Sequence, residues 1–246
     1  AKELGNEIPD EPLLFIKPGS CVDSAENGFN IPSDRGAVHF ELEIAVLIGK
    51  PLSKKPCEEE VLDAISGYAP ALDLTLRDVQ DTLKKKGWPW EASKSFDGAC
   101  VLAPFVSADN VSDTRAIELR LTVNGEVRQQ GDSSQMINAI VPLISHIAGQ
   151  FSLQPGDVVL TGTPAGVGPL QSGDQLVMEL PGLIRYDTEN GMEQGWGRRQ
   201  LWRRVLRPRV LVYTTILLAI AAALVVSLTM RSSMRVDVIR DRGVMA

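Results

Sequence analysis

The chain has 246 residues, 44% of them hydrophobic, and a formal net charge of −6, so it can bury one large core or two small ones. The charge is uneven: residues 1–190 hold 15 Lys/Arg against 28 Asp/Glu, and residues 191–246 hold 10 Arg against 3 Asp/Glu. The acidic majority argues against general nucleic-acid binding, and three isolated cysteines (Cys21, Cys57, Cys100) exclude a disulfide framework or a Cys-x-x-Cys site, which suits a reduced cytosol.

In chain order, the sequence opens Ala1-Lys2-Glu3 with neither Met nor a signal peptide, and reads as a start inside a longer pattern. The first chemical signal is Glu41-Leu42-Glu43, followed by the apolar Ile44, Val46 and Ile48. On a β-strand, residues i and i+2 point the same way, so two carboxylates share one face. Asp73 follows in Asp73-Leu-Thr-Leu-Arg77-Asp78-Val-Gln80. Like charges held near a core repel and lose hydration, and a divalent cation removes both penalties. Oxygen ligands with no cysteine nearby favour Mg²⁺ or Mn²⁺, with Ca²⁺ still open, over zinc. On the residues alone, a solvated strand face with a nearby acid explains the trio equally well.

Helices are predicted over 58–67 and 77–86; Lys84-Lys85-Lys86-Gly87 supplies cations in the last turn and a glycine stop, most simply a solvated helix end. Alternation over 118–130 around Asn124-Gly125 predicts a hairpin. Met136, Ile140, Val141, Ile144, Ile147 and Ala148 share one face of a helix predicted over 134–150, with a kink or break at Pro142. A turn at Gln154–Asp157 and a buried strand, Val158–Leu160, lead into Thr161-Gly-Thr163-Pro-Ala-Gly-Val-Gly168. That loop lacks the Gly-Lys-Ser/Thr ending of a phosphate loop. His39, which adjoins the Glu41–Glu43 strand, reads as a packed residue or one behind the ligands rather than a ligand, and His146 lies on the predicted helix.

After Asn190 the composition changes. Val210–Met230 carries no charge over 21 residues, long enough to span a bilayer, and Arg198, Arg199, Arg203, Arg204, Arg207 and Arg209 precede it. Positive-inside bias places residue 209 in the cytoplasm and residue 231 outside. The domain expectation is therefore 1–182 for a catalytic domain, 183–209 for a basic cytoplasmic linker, 210–230 for a transmembrane helix and 231–246 for a short extracytoplasmic tail. The helix would anchor the cytoplasmic domain to the inner membrane.

Residues 1 to about 181 resemble the fumarylacetoacetate hydrolase family, in its acylpyruvate hydrolase and 5-carboxymethyl-2-hydroxymuconate isomerase branch. The resemblance is carried by Glu11–Pro18, His39-Phe-Glu41-Leu-Glu43, Gly67-Tyr-Ala-Pro-Ala-Leu-Asp73 through Gln80, Lys86-Gly-Trp-Pro-Trp90, Lys94-Ser-Phe96 and Leu160–Gly168. It implies an α+β fold, a mixed β-sandwich roll, here expected to lack its first and last strands. It implies Mg²⁺ or Mn²⁺ on Glu41, Glu43 and Asp73. It implies that Arg77, Gln80, Lys94 and Thr163 surround the oxygens of a small keto acid. The implied activity is hydrolysis, isomerisation or decarboxylation of β-keto, acylpyruvate-like acids through a metal-stabilised enolate, in a chain that can pair as a homodimer. Lys94 and Glu3 are the implied catalytic residues. Glu3 takes the place of the family's dyad glutamate, whose histidine partner would immediately precede Ala1; as written, the chain is expected to bind metal better than it performs general-base hydrolysis.

The tail from about residue 183 resembles membrane-bound, iron–sulfur cytochrome c oxidase accessory proteins, with a junction of the two patterns expected at Gly182-Leu183. The second reading is thus a fragment of a membrane oxidase assembly protein, or an inactive chimera. No cluster-binding cysteine run is present.

Overall fold

The computed structural model describes residues 11–192. Strands β1 (Val22–Ser24), β2 (Phe29–Ile31), β3 (Val38–Phe40), β4 (Leu42–Ile48), β5 (Ile65–Asp73), β6 (Thr75–Leu76) and β7 (Cys100–Leu102) build the first half, with helices α1 (Glu58–Ala64), α2 (Arg77–Lys86) and α3 (Glu91–Lys94). Strands β8 (Val106–Ser107), β9 (Glu118–Val123), β10 (Glu126–Asp132), β11 (Val158–Leu160), β12 (Gly168–Pro169), β13 (Gln175–Leu180) and β14 (Ile184–Met192), with helix α4 (Ile140–Gln150), build the second. They form a six-stranded sheet in the order β1-β7-β5-β4-β11 with β8 on β5, a five-stranded sheet β10-β9-β13-β14-β2, and a small sheet β12-β3-β6. The β1–β7 and β14–β2 pairs are parallel and the other strand pairs antiparallel, so the expected mixed α+β architecture is present.

One apolar core joins the sheets. Phe40, Leu42, Ile44 and Leu72 of the six-stranded side and its neighbour β3 meet Leu121, Leu176, Met178 and Leu180 of the five-stranded side. The hairpin at Asn124-Gly125 forms as predicted: both residues have positive φ (51° and 84°), the conformation a two-residue turn between twisted strands requires. Helix α2 ends where its lysines and Gly87 predict, with Gly87 left-handed at φ 63° and donating its N–H to Lys84 O.

Several expectations need correction. The helix predicted over 58–67 ends at Ala64, because Ile65 already belongs to β5. The helix predicted over 134–150 begins only at Ile140, after a short 3-10 turn at Ser133–Gln135. Pro142 therefore sits in the first turn, where backbone N–H groups have no intrahelical partner, and no kink is needed.

The largest correction concerns the last strand. Neither a missing strand nor a linker begins at residue 183. Gly182, at φ 78°, turns the chain, and β14 runs back along β13 from Leu180↔Ile184 to Gln175↔Glu189, then pairs with β2 through Asn190↔Phe29. The physical reason is an alternation of inward and exposed residues along the segment. Ile184, Tyr186, Thr188 and Asn190 turn inward, and Arg185, Asp187 and Glu189 are exposed. Among the described residues no helix is long and apolar enough to cross a membrane. The helix expected at 210–230, the tail beyond it and Glu3 lie outside the described residues.

Candidate metal and keto-acid site

The site forms where β3 passes into β4 and where β5 ends. Glu41 lies between β3 and β4, and Glu43 is the second residue of β4. Pairing of β4 with β5 sets Leu42 opposite Leu72, and Asp73 N–H donates to Glu41 O at 2.9 Å. That register brings Asp73 to the two glutamates across thirty residues of sequence. All three acids are buried, and carboxylate oxygens from each lie within 4.8 Å of one another.

Cations surround two of the three. Lys94, at the end of α3 and only 2% exposed, donates to Glu41 Oε2 at 2.8 Å and to Asp73 Oδ2 at 2.6 Å. Arg77, at the start of α2, donates from Nη2 to Glu41 Oε1 at 2.6 Å and from Nη1 to Gln80 Oε1 at 2.6 Å. One turn of helix separates Arg77 from Gln80, which puts them on one face as their spacing predicts. Glu43 has a different neighbour: Gly162 N–H donates to its Oε2 at 2.6 Å. The loop that carries Gly162 and Thr163 is further pinned by Thr161 Oγ1 donating to Ile44 O at 3.0 Å.

The titration behaviour follows from this asymmetry. Burial works to raise Glu41, but the charges and hydrogen bonds of Lys94 and Arg77 outweigh it and hold Glu41 below the ordinary carboxylate range. Burial likewise opposes the charge of Lys94, yet Asp73 and Glu41 hold it protonated above the usual lysine value. For Glu43, burial and then the charge of Asp73 prevail, and its carboxyl is pushed up to about 8. Of the three acids, Glu43 is the one whose neutral form burial and the charge of Asp73 favour.

The residues fit a hard dication. The donor set is all oxygen, which suits Mg²⁺ or Mn²⁺ over softer metals. Asp73 Oδ1 is buried and accepts no hydrogen bond, although Lys17 Nζ forms an ion pair with it at 2.8 Å. A buried carboxylate oxygen with spare acceptor capacity, among two further acids, is a chemically suitable ligand. Cys100, opposite Asp73 in β7, is buried, and that burial pushes its thiol up to about 12.

Every expected site residue among 11–192 therefore comes together here: Glu41, Glu43, Asp73, Arg77, Gln80 and Lys94 directly, and Thr163 through its loop. Two residues had not been singled out. Lys17 has a largely buried side chain that donates to the carbonyls of Lys94 and Ala99 and pairs with Asp73. Its signal was a lone lysine in the run Leu13-Leu-Phe-Ile-Lys17-Pro18. Gln129, on β10 beside a break in the β9–β10 register, is 1% exposed. Its Oε1 accepts from Leu42 N–H at 2.9 Å, between the two glutamates, while its Nε2 donates to Thr163 Oγ1 at 2.8 Å and Pro164 O at 2.9 Å. One amide thus ties the ligand strand to the Thr163 loop. His39 packs on β3 and His146 lies on α4. Of the aromatic residues near Lys94, Trp88 is exposed, Trp90 is half-buried and Phe96 is buried.

Comparisons with known proteins agree with this geometry. The family model described as fumarylacetoacetate (FAA) hydrolase C-terminal matches residues 1–189. An oxaloacetate tautomerase of Escherichia coli is 53% identical over 182 residues, 74% of this chain and 83% of the relative. A mitochondrial oxaloacetate tautomerase of Homo sapiens is 39% identical over 183 residues, 74% of this chain and 82% of the relative. Among solved structures, fumarylpyruvate hydrolase from Pseudomonas aeruginosa, in complex with Mn²⁺ and pyruvate, superposes with a TM-score of 0.72 at 33% identity and covers 78% of this chain and 84% of its own. These comparisons lend no support to the resemblance of the tail to an oxidase accessory protein.

Proposed function

The chain belongs to the fumarylacetoacetate hydrolase family, and on that premise we propose that it catalyses enolate chemistry on small β-keto dicarboxylates. The first reading is keto–enol tautomerisation of an oxaloacetate-like dianion. The second is acylpyruvate-type C–C hydrolysis, favoured by the likeness to the fumarylpyruvate hydrolase.

The observation that carries the proposal is the charge balance of the buried site. Glu41, Glu43 and Asp73 face Lys17, Arg77 and Lys94, so the fully ionised side chains cancel. Glu41, Glu43 and Asp73 would hold Mg²⁺ or Mn²⁺, which when bound supplies a Lewis acid for negative charge on the substrate's oxygens. The surplus then equals two positive charges at the reacting end of a largely buried pocket, which draws an anionic keto acid. In tautomerisation, a proton leaves the carbon between the carbonyl and the second carboxylate as charge develops on the carbonyl oxygen. Lys94 is a charged donor held in place by two carboxylates, so its part is to hydrogen-bond that oxygen and return a proton to it. Arg77 keeps further N–H donors available; its buried Nε has no partner. Gln80 fixes the guanidinium plane. Thr163, oriented by Gln129, adds a hydroxyl donor at the loop. Glu3 is the proposed base, on the family resemblance alone. The cytoplasm is the proposed compartment, since Cys21, Cys57 and Cys100 are all unpaired thiols.

The test follows the ultraviolet absorbance of enol-oxaloacetate mixed with the full chain and Mn²⁺. The proposal expects enol decay faster than with Mn²⁺ alone, and loss of that acceleration in Glu41→Ala. Equal rates with and without protein would sink it. Parallel cleavage of an acylpyruvate would instead move the second reading to first place.

A further inference from the structure

Helix α2 carries one more cation on the face that bears Arg77 and Gln80. Arg77, Gln80 and Lys84 are spaced three and four residues apart and share a helix face. Arg77 and Gln80 are buried at the site. Lys84 is half-buried, whereas Lys85 and Lys86 beside it are exposed. The expected solvated helix end therefore holds for two of the three lysines and fails for Lys84.

An aromatic pair links Lys84 to the centre of the site. Its Nζ lies 5.1 Å from the centroid of Trp90, whose ring meets Phe15 at 6.2 Å, and Phe15 lies under Lys94 Nζ at 5.4 Å. Lys84 and Lys94 thus flank one apolar wall, one cation deep and the other near the surface. Their pairing differs. Lys94 has two carboxylate partners, while Lys84 has no ion pair among the described residues. Burial, and then repulsion from Arg77, lower its pKa, while Asp81 three residues earlier on the helix, and then Glu41, act to raise it.

We infer that Lys84 reads the substrate's second carboxylate, so that the site selects dicarboxylic over monocarboxylic keto acids. The inference rests on the keto-acid reading above and adds the residue that sets its selectivity. The acids of the trio are matched by Lys17, Arg77 and Lys94, and those groups gather at the reacting end. A carboxylate one carbon beyond the carbonyl needs its own partner, and Lys84 on the Trp90–Phe15 wall supplies a mobile point charge at that end.

Oxaloacetate and pyruvate differ by this carboxylate, so their relative affinity is the readout. Each is titrated into the Mn²⁺-saturated full chain, with tryptophan fluorescence read within seconds of mixing. Lys84→Met should weaken oxaloacetate about tenfold, the worth of one charged hydrogen bond, and pyruvate less than about twofold. Lys84→Arg should restore most of the preference, and Lys85→Met should not move it. An unchanged oxaloacetate-to-pyruvate ratio in Lys84→Met, or an equal change in Lys85→Met, overturns the inference. If wild type binds both acids and turns over neither, the proposed reaction falls while the ratio still decides the role of Lys84.

Discussion

The six-stranded and five-stranded sheets contribute to one core but treat polar groups in opposite ways. The five-stranded sheet buries neutral ones: Gln129, Thr188 and Asn190. Its charges, Arg120, Arg185, Glu179 and Asp187, form ion pairs at 3.3–3.6 Å near the surface. The six-stranded side buries Glu41, Glu43 and Asp73, then surrounds them with Lys94 and Arg77. Exposed ion pairs add little to stability, and buried ones must overcome the loss of hydration. A fold has no structural need for three acids beside one another in its core. The contrast marks the six-stranded side as the working half and the five-stranded side as its support.

The sharpest way to break that contrast is to remove one buried acid. Glu41→Ala leaves Lys94 and Arg77 each short of a partner, and should destabilise the protein by about 3–5 kcal/mol, measured by urea unfolding. The proposed tautomerase activity should vanish with it. Lys94→Met removes the central cation instead. It should lower the rate on the order of 10²–10³-fold in a steady-state assay, as loss of one preorganised donor does. A Lys94→Met protein with near-wild-type turnover would move the catalytic donor elsewhere.

Gln129→Leu tests the support role of the other sheet. It removes the acceptor of the buried Leu42 N–H, which should cost about 1–3 kcal/mol in chemical denaturation, and it frees the Thr163 loop. A rise in KM larger than the fall in kcat would place its effect on substrate positioning. The smallest effect belongs to the surface: Arg185→Ala should change stability by less than about 0.5 kcal/mol, despite two ion pairs.

The same two regions differ in how much of them the sequence disclosed. Glu41, Glu43 and Asp73 were legible because acids are conspicuous in apolar strands and the period of two gives their facing directly. Arg77 and Gln80 followed from helix spacing. Lys17 and Gln129 were not legible, because each reaches the site from a distant segment: Lys17 from a stretch outside the strands, and Gln129 across 87 residues, placed by sheet register and a local break in it. The half-burial of Lys84 was hidden for a similar reason: its cover, Trp90, belongs to the next segment. In β14 the signal was present and misassigned. Ile184, Tyr186, Thr188 and Asn190 alternate with charged residues and a turn precedes them at Gly182, yet the segment's composition resembled another kind of protein. Alternation and turn chemistry prevailed over that resemblance.

The most direct measurement is calorimetric titration of Mn²⁺ into the full chain and into Glu43→Gln. This substitution preserves size and an oxygen acceptor for Gly162 N–H, so the fold is kept while one ligand charge is lost. The account predicts one Mn²⁺ per wild-type chain and binding weaker by at least about tenfold, or ~1.4 kcal/mol, in Glu43→Gln. Equal affinity in the two proteins, or no uptake by folded wild type, would contradict it.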